Sequence, residues 1–143
     1  MAEFKSQIRL LIADDHKIVR QGIRALLGMA KDIDVVGEAR DGAETVTMAN
    51  QLQPDIILMD IQMPLLDGIA ATRKLTDTGS TCRVLMLSMR TDENSVRQAA
   101  EVGAWGYYLK NSDRDELIGA IRAVHGGTRV ASPSVAFFLA EGK

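Results

Sequence analysis

Apolar residues in this chain come in short unbroken runs, separated by stretches in which they recur every three or four positions. The runs are Ile8–Ala13 (IRLLIA), Val35–Ala39, Ile56–Met59 (IILM), Arg83–Ser88 (RVLMLS) and Gly106–Leu109 (GYYL). Short apolar runs bounded by breakers and lacking alternation read as strands buried on both faces. Between the first two runs, Ile18, Gly22, Ile23, Leu26, Leu27 and Ala30 recur at helical spacing, with Lys17, Arg20 and Arg24 on the polar side. Further helices are expected at Ala43–Leu52 with Val46 and Ala49 inward, after Gly68 through about Leu75, at Thr91–Val102 and at Asp113–His125. Asp41-Gly42, Pro54, Thr78-Gly79-Ser80 and Gly126-Gly127 supply the stops. Five strands alternating with five helices predict an α/β fold, a doubly wound parallel sheet covered on both faces. Beyond Gly127, Ser132-Pro133 offers a cap and a first-position proline, predicting a short sixth helix from Pro133 to about Ala140.

Composition narrows the class without changing this picture. At 143 residues, 46% hydrophobic and 25% charged, the chain fits one globular domain, with residues 1–127 as its body and 128–143 as a linker or short helix. A formal net charge of -2 argues against a nucleic-acid grip by this chain itself. The single cysteine, Cys82, excludes a disulfide framework and a cysteine zinc site and fits a reducing cytoplasm. The polar start MAEFKSQ and the lack of any run of about 18 apolar residues predict a cytoplasmic protein without a membrane segment.

The chemistry sits where the strands end. Asp14 and Asp15 follow the first strand, Asp60 the third, Ser88 closes the fourth and Lys110 follows the fifth. In open α/β sheets ligands bind at the carboxyl ends of the strands. A lone strand-end Asp is more often a turn or cap residue, so the weight rests on the set. Carboxylates crowded together need protonation or a hard cation, and Mg²⁺ suits one or two carboxylates completed by waters and phosphate oxygens. A carboxylate can also attack phosphorus to give an aspartyl phosphate, with Ser88 and Lys110 stabilising the other phosphoryl oxygens.

These residues closely resemble the receiver domain of two-component response regulators. The likeness runs from Ile8 to about Gly127 and rests on Asp14-Asp15, on Met59-Asp60-Ile61-Gln62-Met63-Pro64 with Asp67-Gly68, on Ser88, and on Gly103-Ala104 with Gly106-Tyr107-Tyr108-Leu109-Lys110. The resemblance implies a flavodoxin-like sheet of order 2-1-3-4-5. It also implies phosphorylation of Asp60 by a histidine kinase, and Mg²⁺ held by Asp15, Asp60 and the Gln62 backbone carbonyl with help from Asp14. Ser88 and Tyr107 become a switch pair and Lys110 a phosphate ligand. LLIADDHKIVRQGIRALL and ELIGAIRAVHGGTRVASPSVA are similar to receivers of LuxR-type transcription regulators, which dimerise on activation and bind DNA through a helix-turn-helix domain absent from this chain. A stand-alone receiver acting through protein contacts is the other reading. Two departures stand out: Asn111 where many receivers have proline, and Met89 after the switch hydroxyl, where the family commonly has Ala or Gly.

Other readings fit less well. Gly37 and Gly42 have P-loop spacing, but Ala43-Glu44 stands where Lys and Ser/Thr are required. Asp14-Asp15 would repel a dinucleotide pyrophosphate. Aspartyl-phosphate phosphatases carry a second acid where Gln62 stands. The expectation is therefore a signalling switch rather than an enzyme. His16 and His125 are expected to be helix-end residues, and the methionines packing filler.

Overall fold

The structure is a computed structural model that describes residues 7–89, 91–133 and 135–136. In chain order the elements are β1 (Ile8–Ala13), α1 (Lys17–Leu27), β2 (Ile33–Ala39), α2 (Gly42–Leu52), β3 (Ile56–Met59), α3 (Gly68–Asp77), β4 (Arg83–Ser88), α4 (Glu93–Glu101), β5 (Gly106–Leu109), α5 (Arg114–His125) and β6 (Val130–Ala131). All strands pair in parallel, in the order β2-β1-β3-β4-β5-β6. The expected order 2-1-3-4-5 is therefore present, with β6 added beside β5. Two residues carry no periodicity of their own, and β6 exists because it pairs with Gly106 and Tyr107.

Strand alternation splits the core in two. Leu11, Ala13, Ile57, Met59, Val84, Met86 and Tyr107 face one side and pack with residues of α2, α3 and α4, among them Ala49, Ala71, Leu75, Val96 and Ala99. Leu10, Ile12, Ile56, Leu58, Leu85 and Leu87 face the other, against Ile23 and Leu27 of α1 and Leu117, Ile118, Ile121 and Val124 of α5. Tyr107 and its neighbour Tyr108 fall on opposite sides accordingly.

Helix α1 departs from the sequence pattern. Ile18 is 78% exposed and Gly22 is exposed, whereas Arg20, expected on the polar face, is buried together with Ile23 and Leu27. A buried guanidinium requires partners. Arg20 has them: Nη1 donates to the Asp14 carbonyl at 2.7 Å and Nε to Glu38 Oε1 at 2.9 Å. Glu38 also accepts from Arg24 Nε at 2.8 Å.

Helices α2 to α5 each open on an aspartate, Asp41, Asp67, Asp92 and Asp113, whose side chain accepts a backbone N–H of the first turn. At the tail, Pro133, Val135 and Ala136 are helical. The N–H groups of Val135 and Ala136 donate to the Ser132 carbonyl, both at 3.0 Å. Ser132 Oγ accepts the Leu109 N–H at 3.3 Å and so ties the tail to β5. Residues 137–140 of the expected sixth helix lie outside the described residues.

Candidate functional site

Parallel pairing aligns the carboxyl ends of β1, β3, β4 and β5, which gathers the strand-end residues. Asp14 and Asp60 are buried, at 2% and 6% exposure, and Asp15 is half-buried. Lys110 Nζ stands between the two buried acids, 2.7 Å from Asp14 Oδ2 and 3.3 Å from Asp60 Oδ1. Its backbone N–H donates to the Ser88 carbonyl at 2.9 Å, which fixes the β5 end beside the β4 end. Ser88 is buried there.

The acid of the third strand is not consumed as a helix cap. Asp67 caps α3, so the Asp60 carboxylate is left to face Lys110 and the other acids. Helix α1 has no side-chain cap at all; Asp14 Oδ1 instead accepts the His16 N–H at 2.9 Å. Gly68 brings α3 against the end of β3. A Cβ at Gly68 would lie 2.0 Å from the Asp60 carbonyl oxygen, and one at Gly42 would lie 1.9 Å from that of Leu66. Only glycine permits either approach.

Electrostatics mark Asp60 as the unsettled member. Burial, and next the negative charge of Asp14, push its carboxyl up to about 6, and the proximity of Lys110 only partly offsets this. Burial also works against the Lys110 ammonium, but its hydrogen bond to Asp14 and the charges of Asp60 and Asp14 prevail and hold its pKa above the ordinary value.

His16 is the exposed helix-start residue expected, and its ring also stands beside the acids. One ligand atom from each of Asp14, Asp15, His16 and Asp60 falls within 4.8 Å of the others. His16 Nδ1 is 3.0 Å from Asp15 Oδ1, yet not aligned for a hydrogen bond, and that buried oxygen has no hydrogen-bond partner among the described residues. A buried carboxylate oxygen without a donor, beside two further acids, fits a hard divalent cation.

Gln62 is exposed in the loop after β3. Tyr107 is buried in β5, inside the core cluster that also holds Val96 and Ala99 of α4. Met89 is 70% exposed, so little of its bulk is packed. There is no cis peptide among the described residues, which leaves Lys110–Asn111 trans. Sequence reasoning missed Arg20, whose grip on the Asp14 carbonyl braces the loop bearing two acids. Its only local signal is a basic residue at the spacing of the inward face.

Comparison with known proteins agrees with this arrangement. The family profile described as "Response regulator receiver domain" matches residues 10–122. The chain is 39% identical over 128 residues to the transcriptional regulatory protein LnrK of Bacillus subtilis (strain 168), covering 90% of this chain and 58% of that protein. It is 43% identical over 120 residues to LiaR of the same organism, covering 84% and 57%. The chain thus spans little more than half the length of these relatives. Among solved structures, a two-component response regulator of the LuxR family from Aurantimonas sp. SI85-9A1 superposes with a TM-score of 0.89 at 38% identity, covering 96% of this chain and 98% of that one. The signal receiver domain of the NarL response regulator from Mycobacterium tuberculosis gives 0.84 at 32% identity, covering 86% and 99%. Among the described residues no helix is long and apolar enough to cross a membrane. The chain belongs to the response regulator receiver domain family.

Proposed function

We propose that Asp60 is the phosphoacceptor of a signalling switch and takes its phosphoryl group from a histidine kinase. The observation that carries this reading is the buried Asp14–Lys110–Asp60 bridge at the strand ends, with a raised Asp60 carboxyl next to an acid oxygen that has no hydrogen-bond donor among the described residues. A carboxylate oxygen of Asp60 attacks phosphorus while the bond to the donor breaks and the donor leaves with the electron pair. Lys110 exchanges its contact with Asp60 for one with a phosphoryl oxygen, and the Ser88 hydroxyl donates to another. Asp14, Asp15, Asp60 and the Gln62 carbonyl would hold Mg²⁺, whose charge neutralises the phosphoryl oxygens and the crowded acids.

The switch follows from that movement. Ser88 ends β4, and drawing its side chain to the phosphoryl group changes the room in which Tyr107 packs against α4. Residues 1–127 form the receiver and 128–143 lead towards an output. The longer transcriptional regulators among the relatives favour a cytoplasmic transcription switch that dimerises on activation and meets DNA through a helix-turn-helix domain beyond this chain. Intact-mass measurement after incubation with acetyl phosphate tests the acceptor. The chain is expected to gain one phosphoryl group only with Mg²⁺, and Asp60→Ala to gain none while staying folded. Labelling of the folded Asp60→Ala chain would overturn the assignment.

A further inference from the structure

Arginine is seldom fully buried unless paired, and Arg20 is buried against the loop that carries Asp14 and Asp15. Its hydrogen bonds run to two different elements: Nη1 donates to the Asp14 carbonyl at 2.7 Å, and Nε donates to Glu38 Oε1 of β2 at 2.9 Å. We propose that Arg20 is a positioning residue for a divalent cation: it fixes the Asp14–Asp15 peptide, and through it the Asp15 carboxylate, while Glu38 holds the guanidinium on the carbonyl and off the acids. The inference deepens the phosphoacceptor reading, and rests on it for the cation's role.

The carbonyl that Arg20 grips belongs to the peptide bond leading into Asp15. Asp14 is fixed from several other sides. Its N–H donates to the Ala39 carbonyl at 3.0 Å, and its carboxylate accepts from the His16 N–H and meets Lys110 Nζ. Asp15 lacks this support, because its buried Oδ1 has no hydrogen-bond donor among the described residues. The main chain therefore aims that oxygen, and Arg20 holds the main chain. Mg²⁺ demands near-ideal octahedral geometry, so a ligand aimed only through its backbone is sensitive to what grips that backbone.

Glu38 answers a hazard of the arrangement. A guanidinium close to carboxylates pairs with them strongly and would compete with a metal ion for the acids. Glu38 lies beside Ile12 in the β1–β2 register and takes Arg20 and Arg24 on its two oxygens, so the charge of Arg20 is matched away from Asp14 and Asp15. The planar fork of arginine reaches both acceptors at once, whereas the single ammonium of a lysine does not span them.

Charge and position predict opposite signs, which makes the role testable. Removing a positive charge near a cation site tightens cation binding by Coulomb's law, whereas releasing the Asp15 peptide weakens it. The probe is Mn²⁺ binding to the full 143-residue chain, followed by the electron paramagnetic resonance of the free ion, with urea unfolding to establish that each variant is folded. Arg20→Met is expected to weaken Mn²⁺ binding about tenfold. Arg20→Lys, which keeps the charge and loses the fork, is expected to weaken it about threefold or more, and it decides alone if Arg20→Met does not fold. Arg24→Met removes the same charge from the same Glu38 partner without touching Asp14 and is expected to stay within about a factor of two of the wild-type chain. In labelling with acetyl phosphate, Arg20→Lys is expected to raise the half-saturating Mg²⁺ concentration in proportion, with the rate at saturating Mg²⁺ kept within about twofold. Unchanged or tighter Mn²⁺ binding in the folded Arg20 variants would overturn the proposal. So would an equal weakening by Arg24→Met, or a loss of saturating rate at an unchanged half-saturation. Mn²⁺ affinities that follow the expected order in a chain that never gains a phosphoryl group would refute the acceptor reading and leave the positioning role of Arg20 standing.

Discussion

The two ends of the sheet are built on opposite terms. At the amino-terminal end the arginines are matched: Arg9 donates to the Leu52 and Gln53 carbonyls at 2.6 and 2.9 Å, and Arg83 to those of Val124 and His125 at 2.8 and 3.2 Å. Arg83 and Arg129 both stack on Trp105, each 4.3 Å from the ring centroid. At the carboxyl end one lysine serves two buried acids, and one oxygen of a third acid has no hydrogen-bond donor among the described residues. One end spends its charges on holding the fold. The other crowds acids around one lysine, which on the proposed phosphoacceptor reading keeps charge in reserve for a ligand.

Replacing Asp60 breaks that contrast most sharply. Its carboxyl is raised from 3.8 to about 6, so the charged form is disfavoured in the folded chain. Such a group costs nothing below the unfolded pKa, and its penalty grows as pH rises through the folded one. Asp60→Asn is therefore expected to lose all acetyl phosphate labelling and to gain on the order of 2 kcal/mol at pH 8, shrinking to nothing near pH 3.5. Urea unfolding at both pH values measures this. A variant less stable than wild type at pH 8 would remove the claim of reserve charge.

At the opposite end, Trp105→Ala is expected to cost about 2 kcal/mol by lost packing and two cation–π contacts, while the initial rate of Asp60 labelling stays within a factor of two. Impaired labelling in a folded Trp105 variant would show that the ends are not separable. Lys110→Ala is expected to destabilise by roughly 1 to 2 kcal/mol at neutral pH, since Asp14 and Asp60 lose their shared cation. Carboxyl-carbon NMR of that variant is expected to show Asp60 titrating above its wild-type midpoint. A midpoint unchanged from wild type would mean that the lysine does not govern the acid.

The smallest effect is expected at Glu38, whose pKa is lowered chiefly by its hydrogen bond with Arg24, against some burial and with help from Arg20. A lowered carboxylate stabilises above the unfolded pKa and loses that contribution as pH falls through the folded one. Glu38→Gln is expected to cost less than about 1 kcal/mol at pH 7 and nothing near pH 3. Thermal unfolding at the two pH values checks this, and an equal loss at both would assign the effect to packing.

The sequence made most of this architecture legible because the strands are self-contained signals. IRLLIA, IILM, RVLMLS and GYYL are each bounded by breakers, and their observed limits coincide with the runs. The strand-end residues could be grouped because parallel pairing puts all carboxyl ends on one side. What could not be read depends on distant partners. Arg20 is buried because Glu38 and the Asp14 carbonyl receive it, and Ile18 is left outside. β6 forms because β5 presents an open edge, and Ser132 Oγ accepts from Leu109 rather than only beginning a helix.

Gly42 and Gly68 set the mechanical character of the region around Asp60. At both positions backbone lies against backbone with no side chain between, Gly68 on the Asp60 carbonyl and Gly42 on that of Leu66. A joint of this kind has no rotamer to turn and no soft side chain to compress. A displacement of the Asp60 main chain is therefore handed whole to the first turn of α3, and one of Leu66 to the first turn of α2. The loop between β3 and α3 is thus a stiff flank of Asp60, and on the proposed phosphoacceptor reading the compliance a switch needs falls to the other flank, along β4 and β5.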